Sequence, residues 1–228
     1  MSTGTQQHTP TNLGMSTRTT IGGRWAWWGV AAGALGVVAT TATNVSTSRK
    51  HVDPSIVLTL KGGMYHVGGA LGYLTVACLL ILAAAWRTHV STARPRSIAA
   101  RLVADGFTAS AAALTLGYGW RLAMALYLPG GANADQFGAQ ARWFYYMLND
   151  FGAFIGWLGV CVAAGAVAWL SLREKATSVW IGLLSLVPVL ATVGIAMIVA
   201  IAGFPGVVGP IWLIVAFAGI ALTHNSRA

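Results

Sequence analysis

Six long apolar runs, joined by short polar connections, constrain this chain more than any other feature of its sequence. We place the runs at residues 25–45, 61–86, 101–128, 142–172, 177–203 and 205–222. Each run can hold a helix of roughly 18 to 30 residues, which at about 1.5 Å per residue spans a hydrocarbon layer about 30 Å thick. The runs predict an all-α polytopic integral membrane protein, a bundle of six transmembrane helices.

The composition excludes an ordinary soluble domain. Hydrophobic residues make up 56% of the chain and charged residues only 8%, whereas a soluble globular protein carries about 25% charged residues. Residues 1–24 are rich in Ser, Thr, Gln and Gly and predict a disordered cytoplasmic tail. We therefore expect a six-helix transmembrane domain at 25–222, followed by a short cytoplasmic tail at 223–228.

The basic residues orient the predicted helices. The net charge is +9, from 14 Lys and Arg against 5 Asp and Glu, but no basic stripe with interleaved aromatic residues indicates a nucleic-acid partner. With the N-terminus inside, nine basic residues fall on the cytoplasmic side and four on the outer side. The inner residues are Arg18, Arg24, Arg87, Arg94, Arg96, Arg101, Arg173, Lys175 and Arg227, and the outer ones are Arg49, Lys50, Lys61 and Arg142. We predict a multi-pass protein of the cell membrane, of the bacterial inner-membrane type, with both termini cytoplasmic.

Aromatic residues near the predicted helix ends fit this placement, because amphipathic rings favour the headgroup layer. The residues predicted to lie there are Trp25, Trp27, Trp28, Trp86, Trp143, Tyr145, Trp169 and Trp180.

Ionisable side chains inside the apolar runs mark the most informative layer of the bundle. His66 lies about 8 Å below the outer end of its helix, Arg121 about 10 Å and Asp150 about 12 Å. Charged groups at the bilayer centre cost about 2.5–3.5 kcal/mol each on insertion scales, so they are rarely kept without a role or a partner. The three residues are expected to share one layer in the outer leaflet.

Neighbouring polar residues extend this layer into a candidate binding site. Tyr118 precedes Arg121 by three residues and Tyr146 precedes Asp150 by four, spacings that share a helix face. Asn149 lies beside Asp150, and small residues leave the helix around His66 open to a ligand. The predicted substrate-binding residues are His66, Tyr118, Arg121, Tyr146, Asn149 and Asp150.

A purely structural interpretation competes with the site. Arg121 and Asp150 can neutralise one another and hold two helices together, and His66 can be a hydrogen-bonded packing residue. No metal site, cofactor motif or catalytic motif is present, and Cys78 and Cys161 fall inside apolar runs, where a thiol packs as a small hydrophobe.

Three functions fit the sequence. The first is a small-molecule binding or transport protein with a polar pocket in the outer leaflet. Its layout, though no residue motif, resembles the membrane-embedded substrate-binding subunits of energy-coupling vitamin importers. The second is a membrane-embedded enzyme that acts on an isoprenoid or other lipid, with Asp150 as general acid and aromatic rings near a developing cation.

The third is an accessory subunit that docks on a partner membrane subunit. In each case the bilayer is the environment, and the substrate is a small molecule or a lipid.

Overall fold

The protein is all-helical in the residues that the computed structural model describes, which are 21–43, 54–199 and 201–225. The α-helices are α1 (Trp27–Val37), α2 (Gly62–Trp86), α3 (Ile98–Tyr127), α4 (Ala139–Ile155), α5 (Leu158–Leu172), α6 (Val179–Val199) and α7 (Pro205–Asn225). Short 3-10 helices lie at Arg24–Ala26 and Pro54–Thr59. Wider, π-type turns extend α1 over Val38–Ala42 and α2 over Arg87–Ser91.

Among the described residues, four helical segments are long and apolar enough to cross a membrane. They are Gly62–Ser91, the combined α4 and α5 at Ala139–Leu172, Val179–Val199 and Pro205–Thr223. The all-helical prediction is thereby confirmed, and the membrane prediction is supported for these four segments. Neither α1, with 11 residues, nor α3, which carries Arg101, Asp105 and Arg121, is among the four.

The predicted fourth run is interrupted in the structure. Helix α4 ends at Ile155, and α5 begins at Leu158. Gly156 packs against α3, because a Cβ at this position would lie 2.7 Å from a side-chain methyl of Leu114. The break therefore lies where α4–α5 closely approaches α3, and it sets the position of the buried Trp157 ring.

The helices are packed around α3, which makes its most extensive contact with α2 and its next with α5. Helix α1 lies against α7, where glycines allow a close approach: a Cβ on Gly29 would lie 2.4 Å from the Phe217 ring. Helix α6 is peripheral, with only 22% of its apolar span buried. Its outward residues Met197 and Ile198 are more than 80% exposed.

An aromatic core fills one end of this packing. We use this name for Trp25, Trp86, Phe107, Trp212 and Phe217, whose rings make edge or tilted contacts at centroid distances of 5.7 to 6.5 Å. Trp86 is fully buried and donates from Nε1 to the Ala100 carbonyl at 2.8 Å. Its ring is thus turned inward by its neighbours and packs inside the bundle, while its predicted depth at the headgroup layer stays a prediction.

The packed part of the chain begins earlier than predicted. Most of the predicted tail, residues 1–20, lies outside the described residues, as do 226–228. Ile21, however, is 9% exposed, and its amide donates to the Ala176 carbonyl. At the other end, α7 extends through Asn225, three residues beyond the predicted run.

Candidate functional site

Arg121 lies in the interior of the bundle, with 1% of its surface exposed. Its Nη1 donates to the Ala39 carbonyl and, at 2.9 Å, to Thr43 Oγ1, while Nη2 donates to the Thr40 carbonyl at 3.2 Å. The guanidinium of α3 is thus bound by the end of the first helix, more than 75 residues earlier in the chain.

The end of the first helix is suited to hold a cation. The last carbonyls of a helix have no partner within it and carry the negative end of the helix dipole. Here the chain widens into the π-type turns of Val38–Ala42 before the helix ends. Thr43 Oγ1 donates back to the Ala39 carbonyl at 2.8 Å. Its remaining lone pairs can therefore accept from Arg121.

A second set of hydrogen bonds converges on Thr40. Its Oγ1 lies 2.7 Å from the Tyr118 hydroxyl and accepts from Trp157 Nε1 at 3.1 Å. All three side chains are fully buried. We call Thr40, Thr43, Tyr118, Arg121 and Trp157 the polar cluster; it joins the first helix, α3 and the start of α5.

Helix α2 contributes space to the polar cluster. A Cβ on Gly68 would lie 2.2 Å from Thr43 Oγ1, and one on Gly72 would lie 2.1 Å from the Tyr118 ring. Any side chain at these positions would displace the hydrogen-bonded groups. The two glycines, four residues apart on one face of α2, are needed for Tyr118 and Arg121 to lie against this helix.

Asn149 lies next to the polar cluster on α4. It is 2% exposed, and its Nδ2 donates to the Trp120 carbonyl at 2.9 Å. Its Oδ1 is buried and has no hydrogen-bond partner in the part of the chain that the structure describes. An unsatisfied buried acceptor costs about 1–3 kcal/mol, so this atom favours a donor group from a ligand or a water molecule.

The backbone places the Asp150 position at the level expected for an interaction with Arg121. Asn149 contacts the carbonyl of Trp120, and a Cβ on Gly152 would lie 2.8 Å from the Trp120 ring. Helices α3 and α4 are therefore in register near residues 120 and 150. The side chain of Asp150 lies outside the described residues. Its ion pair with Arg121 stays a prediction.

Tyr146 lies in a separate, mainly apolar group beside the polar cluster. It is 6% exposed, and its ring stacks on Trp143 at a centroid distance of 5.4 Å. The buried residues around it are Val57, Leu60, Tyr65, Met124 and Leu128. Part of this group comes from the 3-10 helix Pro54–Thr59, so Tyr146 lies beneath a connection that covers the ends of α2 and α3.

His66, like Tyr146, is a predicted site residue that lies outside the polar cluster. It is exposed, whereas Tyr65 and Gly68 of the same helix are buried. Each residue turns a helix by about 100°, so the face of α2 with Gly68 and Gly72 meets α3 and the His66 side chain points outward. The small residues predicted around His66 do form an open helix face, but this face packs against α3 and does not include the imidazole.

Two other parts of the cluster carry weaker signals in the amino-acid sequence. Thr40 and Thr43 are polar residues at the end of an apolar run. The residues next to them in the sequence do not indicate that Tyr118 and Trp157 are their hydrogen-bond partners. The Gly68 and Gly72 pair has the small-xxx-small spacing typical of close helix contacts. Among the described residues, no group of three or more His, Cys, Asp or Glu could hold a metal ion.

The arrangement can recognise a polar solute. Asn149 Oδ1 lies beside the polar cluster and can accept a hydrogen bond from such a solute. No protein-family model, no curated protein and no solved structure matches the chain.

Proposed function

We propose that the chain is a multi-pass protein of the cell membrane whose polar cluster forms part of a small-solute binding or transport site in the outer leaflet. One observation carries the proposal: buried polar side chains from the first helix, α3, α4 and α5 converge at one level of the bundle. Burying such groups costs free energy unless each is well paired. Their concentration at one level favours a functional role over packing.

The other buried polar side chains among the described residues differ from those of the polar cluster. Thr75, Ser171 and Ser185 each donate to the carbonyl four residues earlier in their own helix. Such back-bonding uses the hydroxyl hydrogen within the same helix. Ser185 also accepts from Trp212 Nε1 at 2.9 Å and thereby joins α6 to α7. Ser110 accepts from the Val160 amide and thereby joins α3 to α5. None of these four brings a charged group into the interior, as Arg121 does.

The proposal includes six spanning segments. The four apolar segments would be joined by α1 with its flanking turns and by α3, whose hydropathy is reduced by Arg101 and Asp105 near its start and by Arg121 in the polar cluster. The nine-to-four distribution of basic residues favours cytoplasmic termini. This orientation puts the polar cluster in the outer half of the bundle. The exposed α6 would then contact lipid or a partner membrane subunit.

The test compares the same substitution at two buried threonines. The protein is extracted from its native membrane in detergent, and native mass spectrometry records any small molecule that it retains. We expect a solute on the unmodified chain and on Thr75→Val, and its loss from Thr40→Val. Chains that all fold but retain nothing, or that lose the solute equally in both variants, would refute the proposal.

A further inference from the structure

A surface groove lies at the opposite end of the bundle from the polar cluster. It has a volume of about 680 Å³ and is formed by the start of α3, the face of α5 and part of α6. Cavities of about 300–1,000 Å³ are typical of small-ligand sites. The lining residues used below are Arg96, Ile98, Ala99, Leu102, Trp169 and Glu174; we call this the basic groove.

The walls of the basic groove are apolar along its length. Ile98 is 75% exposed and Trp169 is 56% exposed, and both line it together with Leu102. These side chains suit the alkyl part of a ligand.

The rim of the basic groove is cationic. Glu174 accepts from Ser97 Oγ at 2.7 Å and lies 3.9 Å from Arg94 Nη1, so its negative charge is already engaged. Arg96 is exposed on the rim and has no ion-pair partner among the described residues. A guanidinium in this position favours an anionic headgroup, above all a phosphate.

The surroundings reinforce this charge. Arg101, Arg173 and Lys175 are exposed near the same end of the bundle. The nearby acidic residue Asp105 is 3.3 Å from Arg87 and is paired with it. Basic residues near an anionic membrane surface each favour binding by about 1 kcal/mol.

We propose that the basic groove binds an anionic phospholipid, with the phosphate on Arg96 and an acyl chain along Ile98, Leu102 and Trp169. An amphiphile is the occupant that matches an apolar channel ending at a cation. This inference rests on the proposed membrane insertion, with this end in the cytoplasmic leaflet. It does not depend on the solute site.

A second groove provides an internal control. It lies between the start of α6 and the end of α7 and has a comparable volume of about 760 Å³. Its lining residues are Trp180, Ile214, Val215, Ala218, Gly219, Leu222 and Thr223. No charged side chain is among them. It can hold alkyl chains but provides no reason to prefer an anionic headgroup.

The experiment measures headgroup preference directly. The full chain is reconstituted in bilayer discs of phosphatidylcholine and phosphatidylglycerol in equal parts, and native mass spectrometry gives the ratio of the two lipids that remain bound. We expect phosphatidylglycerol to be preferred and Arg96→Gln to reduce this preference about fivefold, the factor that corresponds to about 1 kcal/mol. Arg101→Gln removes the same charge outside the groove and should reduce the preference less than Arg96→Gln, because Arg101 acts only through the surface potential and does not line the groove.

A second pair of variants tests the apolar channel. Ala99→Phe fills the basic groove, and Ala218→Phe fills the control groove; both alanines are partly exposed. Only Ala99→Phe should release the preferred lipid. An unchanged ratio in Arg96→Gln, an equal loss in Arg101→Gln, or retention of the lipid by Ala99→Phe would overturn the proposal. The same spectra show any retained solute, so loss of the solute with Arg96-dependent lipid binding would refute only the proposed function.

Discussion

The polar cluster and the aromatic core are both buried, yet they hold the bundle together by different physics. Both include residues of α3, and Phe107 and Tyr118 lie about 16 Å apart along that helix. The aromatic core consists of large rings in edge contacts, which tolerate small shifts. The polar cluster consists of hydrogen bonds with fixed partners and includes a charged group.

This difference suggests that the two regions have different roles, the aromatic core in stability and the polar cluster in ligand binding. Burying an aromatic ring removes apolar surface from water or from lipid and stabilises packing without requiring one exact geometry. Burying Arg121 costs free energy that its hydrogen bonds must offset. We therefore expect substitutions in the aromatic core to change mainly stability, and substitutions in the polar cluster to change ligand binding as well.

A large stability effect should come from a single ring of the aromatic core. Trp86→Ala removes a fully buried ring and its hydrogen bond to Ala100, and we expect a loss of about 3–5 kcal/mol. Trp28→Ala, at a position 43% exposed, should cost less than about 1 kcal/mol. Denaturant titration of the purified protein in detergent measures both. Similar losses of unfolding free energy in the two variants would mean that the aromatic core contributes no more to stability than an exposed Trp does.

A smaller effect is expected from the neutral Thr40 hydroxyl of the polar cluster. Thr40→Val removes the hydroxyl shared by Tyr118 and Trp157, and we expect a loss of about 1–3 kcal/mol because buried polar groups lose a partner. Thr75→Val removes only a bond within its own helix and should cost about 0.5 kcal/mol. The same titration compares the two variants. Equal losses of unfolding free energy in the two variants would show that the Thr40 hydroxyl stabilises the bundle no more than a hydroxyl bonded within its own helix.

The orientation of the two regions can be tested with almost no effect on stability. Single cysteines at Gln136 and Thr92, both exposed, are introduced after replacement of Cys78 and Cys161 by Ala. We expect an impermeant thiol reagent added to intact cells to label position 136 and not position 92. Labelling of position 92 alone would place the aromatic core, and not the polar cluster, on the outer side.

The sequence predicted the extent of two helices closely because apolar length is a local property. The predicted run at 61–86 corresponds to the helix Gly62–Trp86, and the predicted run at 101–128 corresponds to the helix Ile98–Tyr127. It also selected Tyr118, Arg121 and Asn149, which are buried at one level of the bundle. Arg121 was informative because a charge within an apolar run is costly and therefore rarely incidental.

The direction of side chains around each helix could not be predicted in the same way. His66 and Gly68 are two residues apart, yet one is exposed and the other packs against Thr43. Which face of α2 meets α3 depends on the whole packing arrangement. Likewise, Trp86 and Trp28 both lie near helix ends, but only Trp86 is enclosed by Phe107 and Phe217.

The most direct test of the central claim removes the predicted Arg121–Asp150 pair in two steps. Arg121→Leu or Asp150→Leu alone should cost about 3–5 kcal/mol, because one buried charge loses its partner. The double variant should regain much of this stability but retain no solute in native mass spectrometry. A double variant that folds and still retains the solute would show that the polar cluster only holds helices together. Simply additive losses would show that the two residues do not interact.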